Sequence, residues 1–165
     1  MALPDSVNTV YAEGSQVLSD DLNDLQEQIV ADHEPKLIPA INGAAPNGSA
    51  ATVSSTARYV IAGAAGATWV VSLPVTIGRK IDALRYYFER VSGDQSWSFR
   101  RIDVTDGTEE VLSLHTYNSA TGFQSSMSSG QDHTVEAGFL YQVVWTSGHE
   151  DDLFLGIKLM SKPEA

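Results

Sequence analysis

The sequence predicts a mainly β protein, an antiparallel β-sandwich or jelly roll, entered through a short N-terminal helix and a flexible linker. Three observations carry that prediction. From about Arg58 onward, short runs rich in Val, Ile, Tyr, Phe, Trp and Thr recur between turn residues. Within several of these runs apolar and polar residues alternate with the period of two that marks a half-buried strand. Ahead of them, Leu18, Leu22, Leu25 and Ile29 are spaced 4, 3 and 4 residues apart, which is the d-a-d-a seam of a coiled coil.

Residues 1–17 mix small, polar and apolar side chains without a stable period. Such an arm does not fold alone, so it reads as a docking segment, with Val7, Val10 and Tyr11 as its apolar anchors. Residues 18–34 are the expected coiled-coil helix. Ser19, Asp20 and Asp21 stand at its start, where the helix dipole favours acidic groups, and Pro35 and Pro39 end it. About two heptads make a helix that is marginal in water unless partner helices pack against it.

Residues 35–57 read as a linker rich in Gly, Ala, Ser and Pro. Residues 58–165 form the β-sandwich. Its expected strands are Ala57–Ala62, Thr68–Ile77, Lys80–Val91, Gln95–Val104, Glu109–Thr116, Gly122–Ser128, His133–Glu136, Phe139–Thr146 and Asp152–Met160. Gly78, Gly93, Gly107, Gly130, Gly138 and Gly148 mark turns between them. In the last strand Leu153, Leu155, Ile157 and Leu159 alternate with Asp152, Phe154, Gly156 and Lys158. Lys80–Val91 departs from clean alternation: Leu84, Tyr86 and Phe88 share one face, and Ala83, Tyr87 and Val91 share the other. Such a strand carries a bulge, or is central and covered by a loop, or packs one face against another subunit.

Composition narrows the function. The formal net charge of -11 opposes a nucleic-acid footprint and an anionic membrane surface. There is no Cys, hence no disulfide or thiolate metal site. No run of about 18 apolar residues is present to span a membrane. Met1 to Asp20 lacks the basic region and apolar core of a secretory signal.

Three segments in order resemble small bacteriophage virion proteins of the head-fibre, short tail-fibre or decoration type. The first is Val10-Tyr11-Ala12-Glu13-Gly14 followed by Val17 to Gln26, similar to the stretch that opens the helix of phage fibres. The second is the Gly/Ala-rich spacer. The third is the β region, where Leu73 to Leu84 and Thr134 to Tyr141 resemble strand entries of phage-type sandwich modules. The resemblance implies a homotrimer, docked by its arm to a capsid, portal or tail protein and projecting a β domain. It also implies a particle-surface location after synthesis in the host cytoplasm.

The chemistry-bearing residues point away from catalysis. His33, His115, His133 and His149 share no metal-ligand spacing. His149-Glu150-Asp151-Asp152 reads as a solvated acidic turn without the spacing of a calcium loop. Asp103, Asp106, Glu109 and Glu110 read as a hairpin tip rather than the paired carboxylates of a glycosidase. No nucleophile elbow or phosphate loop occurs, and no cofactor is implied. Trp69, Trp97, Trp145, Tyr86, Tyr87 and Tyr141 fall at strand positions that read as core. Tyr117 and Phe123 flank a polar stretch, so Tyr117, Asn118, Phe123 and Gln124 form the candidate ligand surface, in a stretch that otherwise reads as an exposed edge strand. The expected function is a non-enzymatic structural virion protein. The alternative is a carbohydrate- or receptor-binding adhesin of the same particle, with a cell-surface glycan as its partner.

Overall fold

The computed structural model describes residues 36–163 apart from positions 55 and 57. The docking residues Val7, Val10 and Tyr11 and the seam residues Leu18, Leu22, Leu25 and Ile29 lie outside the described residues, as does the expected helix. The strands are β1 (Lys36–Pro39), β2 (Thr52–Val53), β3 (Val60–Ile61), β4 (Thr68–Ser72), β5 (Arg79–Arg90), β6 (Gln95–Asp103), β7 (Glu109–Tyr117), β8 (Gly122–Thr134), β9 (Phe139–Thr146) and β10 (Leu153–Pro163), with one 3-10 turn at Ala40–Asn42.

The first sheet runs β2-β3-β10-β5-β8, with β1 also on β10, and the second runs β4-β9-β6-β7. Every pairing between these strands is antiparallel. β3 pairs with β10, β4 with β9, β5 with β8 and β6 with β7. Strands β3 to β6 thus pair with β7 to β10 in reverse order, a long hairpin wrapped into two sheets, which is jelly-roll topology.

Between the sheets the aromatic side chains of both inner faces interleave. Tyr86 stacks on Trp97 with ring centroids 4.8 Å apart, and Phe154 stacks on Trp145 at 5.3 Å. Trp97, Phe99, Val143, Trp145, Leu84, Tyr86, Phe88 and Ile157 are all buried. The inward set on β6 and β9 is the set that the period of two selects.

Three features depart from the sequence expectation. The stretch expected to be a linker is built into the sandwich. Lys36–Pro39 pairs with β10, Ala40 is buried and accepts the Trp69 Nε1–H at 2.7 Å, and Ser49 bridges to the backbone of Thr68. Small residues serve here as close-approach points: a Cβ on Gly156 would meet the Ile38 carbonyl oxygen at 2.7 Å, so β1 seats only over glycine.

The expected break at Gly130 is a bulge instead. β8 runs on to Thr134, with Ser129 opposite Ala83 and His133 opposite Ile81. The extra residues are absorbed by positive φ at Gly130 and Asp132. In β10 a register shift between Phe154 and Gly156 reverses the phase of the strand. Phe154, Ile157 and Leu159 face the core, while Leu155 turns outward.

Candidate functional site

The outer face of the first sheet follows from the strand registers. One row across it is Leu37, Lys158, Arg85 and Met127. The next is Pro39, Gly156, Tyr87 and Ser125. The third is Ile61, Leu153, Glu89 and Phe123. Tyr87 sits in the middle, and Leu37, Tyr87, Leu155, Gly156 and Lys158 enclose a groove of about 540 Å³. Phe123 is 68% exposed and Leu37 66%. Phe123 stands diagonally from Tyr87, one row on and one strand over, at a spacing of about 7–8 Å for such neighbours. The outward turn of Leu155 at the β10 bulge supplies one wall of the groove, and Gly156 lets β1 seat close beside it.

Two aromatic faces beside Arg85, Glu89, Ser125 and Lys158 make a surface with stacking area and hydrogen-bonding groups together. That combination suits a ligand with apolar patches and many hydroxyls.

The second sheet offers a different outer face. Arg100 donates from Nε to Ser98 Oγ at 2.7 Å and from Nη1 to Glu109 at 3.0 Å, and Gln142 donates to Glu109 at 2.9 Å. These groups satisfy one another, and the outward positions among the described residues carry no aromatic. A depression of about 300 Å³ is lined by Leu73, Val75, Ile102, Phe139, Leu140 and Tyr141, with Ser72, Glu136 and Gln142 among its polar groups. In that depression the polar groups are engaged: Glu136 pairs with Arg101, Gln142 donates to Glu109, and the Tyr141 hydroxyl accepts the Glu136 amide.

The structure divides the expected ligand surface. Tyr117 and Gln124 are joined by a 3.1 Å hydrogen bond from the Tyr117 hydroxyl to Gln124 Oε1. Tyr117 packs edge-on against the core ring of Phe88 at 5.0 Å, so both side chains close the sandwich edge. Asn118 is exposed in the loop between β7 and β8. Phe123, one residue before Gln124, faces the opposite way and joins Tyr87. β8 is an edge strand of the first sheet, as the polar composition of 118–129 suggests.

Tyr87, read from the sequence as core, is half-buried on the outer face. The signal was present in β5, whose second apolar face needed a role. The wall beside it comes from β1 and β10.

The other sequence candidates resolve into structure. Asp152 is buried, and its carboxylate accepts the backbone N–H of Val91, Gly148 and His149, each at 2.8 Å. The 149–152 run is therefore a loop anchor, its inner carboxylate saturated by amides. In the β6–β7 turn, Asp103 and Asp106 accept the amides of Thr105 and Thr108. The Asp106 carboxyl is held below its usual range, first by the Thr108 amide. Glu109 and Glu110 pair with Arg100 and Arg101. Among the described residues no three His, Cys, Asp or Glu side chains cluster to hold a metal ion, and no helix is long and apolar enough to cross a membrane.

No family model matches the chain, and no curated protein matches it. Solved structures do. The chain is similar to the CBM22-1 xylan-binding domain of Paenibacillus barcinonensis Xyn10C, with a TM-score of 0.54 and 10% identity over 81% of this chain and 97% of that one. It is similar to a family 6 carbohydrate-binding module, with a TM-score of 0.50 and 12% identity over 78% of this chain and 94% of that one. It is also similar to a Podospora anserina GH26-CBM35 β-(1,4)-mannanase, with a TM-score of 0.55 and 14% identity over 81% of this chain. The match spans only 29% of the mannanase chain. At these identities the likeness establishes a shared fold: an antiparallel β-sandwich of the kind found in carbohydrate-binding modules.

Proposed function

We propose that this protein is a carbohydrate-binding β-sandwich that grips a glycan along the outer face of its first sheet. The observation that carries the reading is the position of Tyr87 in a groove of about 540 Å³, with Phe123 diagonal to it on the same face. Pyranose rings present C–H faces that stack on aromatic rings and hydroxyls that seek planar polar groups, and this face supplies both. The fold shared with xylan-binding and family 6 modules supports the reading; fold alone does not assign function.

A particle-borne context is the second part of the proposal. It rests on the resemblance of residues 10–26 and the β region to phage virion proteins, and it makes the chain a trimeric, non-enzymatic adhesin rather than a purely structural fibre. Light scattering of the full chain at three times its 17.8 kDa mass supports that context, and a monomer removes it.

A glycan array probed with the full-length protein tests the binding reading. Retention of defined glycans by the wild type, lost in Tyr87→Ala and weakened in Phe123→Ala with circular dichroism unchanged, supports it. Binding that persists in Tyr87→Ala, or retention of no glycan, overturns it.

A further inference from the structure

Lys158 and Arg85 stand directly opposite each other on neighbouring strands and point to the same outer face. Like charges in that relation repel and destabilise a sheet. Elsewhere among the described residues, four cations meet carboxylates: Arg100 meets Glu109, Arg101 meets Glu110 and Glu136, Lys80 meets Asp132 and Lys162 meets Asp82. Lys36 and Arg90 donate to backbone carbonyls and Arg79 to Ser161, so Lys158 and Arg85 differ in facing each other directly. Lys158 and Arg85 have no carboxylate partner among the described residues. Arg85 directs its Nη2 to the Met127 sulfur at 3.8 Å, on the side away from Lys158. Glu89 is on the same face but two rows from the pair, opposite Leu153 and Phe123. In a chain of net charge -11, an uncompensated cationic pair set beside the groove aromatic is costly unless something anionic binds it.

We infer that the glycan is anionic, a pyranoside bearing carboxylate or sulfate, with its acidic group seated between Lys158 and Arg85 and its ring against Tyr87. This rests on the carbohydrate-binding reading and narrows it. The register places the cations one row from Tyr87, about 7 Å along the sheet for adjacent outward positions on a strand, within the reach of a long side chain. That is the scale separating a sugar ring from its own acidic substituent or that of the next residue. The guanidinium supplies a planar fork for a carboxylate or sulfate, and the ammonium supplies a point charge.

The test is calorimetric titration of the full-length protein with three oligosaccharides of equal length: an oligogalacturonate, a sulfated galactan and a neutral galactan. The expected result is binding of one or both acidic oligomers, at least tenfold tighter than the neutral one, with affinity falling as salt rises. Arg85→Gln and Lys158→Gln each weaken the acidic ligand about fivefold and leave thermal stability unchanged or raised, because each removes half of a repulsive pair. The uronate and sulfate arms show which acid is read. Equal binding of all three oligomers, unaffected by Arg85→Gln and Lys158→Gln but lost in Tyr87→Ala, overturns the inference and leaves the carbohydrate reading intact. No binding of any oligomer, together with an array that retains no glycan, overturns both.

Discussion

The indole of Trp145 donates its Nε1–H to Oε1 of Gln95 at 3.0 Å, and both side chains are buried. Gln95 in turn donates from Nε2 to the Glu89 carbonyl at 2.8 Å. One amide therefore joins β9, β6 and β5, locking the two sheets at the end where β6 begins. Replacing it by an apolar side chain of similar volume strands an indole N–H and a carbonyl. We expect Gln95→Leu to lose about 2–3 kcal/mol of unfolding free energy, read from urea denaturation. A loss under about 0.5 kcal/mol would show that the indole N–H is served some other way.

The opposite sign is expected at Tyr86. Its hydroxyl is buried without a hydrogen-bond partner among the described residues, as is the indole N–H of Trp97 beside it, and burial pushes the phenol well above its ordinary pKa. Tyr86→Phe keeps the stack on Trp97 and deletes the unpartnered oxygen. Stability should hold or rise by about 1 kcal/mol. A fall of that size in chemical denaturation would mean that the hydroxyl is bonded to a buried water.

Asp152 closes the β9–β10 loop on itself by accepting the amides of Gly148 and His149, and ties it to the end of β5 by accepting the Val91 amide. Asp152→Ala leaves three part-buried amide donors without this acceptor, and we expect about 2–3 kcal/mol of destabilisation. Asp152→Asn keeps one acceptor oxygen and should cost less. Because the carboxylate is already saturated by amides, calcium should not raise the melting temperature of the wild type. A rise at millimolar calcium would contradict this account of the loop.

Acid should weaken the fold before the carboxylates titrate. The imidazoles of His115 and His133 are held below the ordinary value of 6.5, each chiefly by burial, with the positive charge of Arg101 adding to it at His133. A depressed folded-state pKa means that the unfolded chain takes up the proton first. The stability is fully present above about 6.5 and is lost as pH falls toward the folded-state values. Melting temperature should therefore drop between pH 6.5 and 5, and the drop should shrink in a His115→Asn, His133→Asn double variant. Parallel profiles for the two proteins would exclude these imidazoles as the cause.

Most of the sandwich was legible because alternation is a local signal. Trp97, Phe99, Val143 and Trp145 face inward as their spacing requires, and the strands from β4 to β10 begin within a few residues of the expected positions. What was hidden depends on long-range pairing. The phase reversal at Leu155 is invisible in sequence, since a bulge is defined by its partner strand. The merging of two expected strands into β8 depends on positive φ at Asp132, a non-glycine residue. The pairing of Lys36–Pro39 with β10 was masked by a composition that reads as linker. The groove was missed for the same reason: its residues come from β1, β5 and β10, and only their registers bring Leu37, Tyr87 and Leu155 together.

The pairing of β1 with β10 also determines how the domain bears load. Lys36 lies opposite Leu159, and Pro163 is four residues further along the same end of β10. A pull applied at Lys36 against Pro163 therefore acts across the strands, opening the ladder one pair at a time like a zipper instead of shearing all its bonds at once. Four residues form a mechanical fuse, and the second of them, Leu37, is a wall of the groove. Tension on the chain at that point reaches the groove before it reaches the aromatic core, so strain would open the groove while the sandwich itself stayed folded.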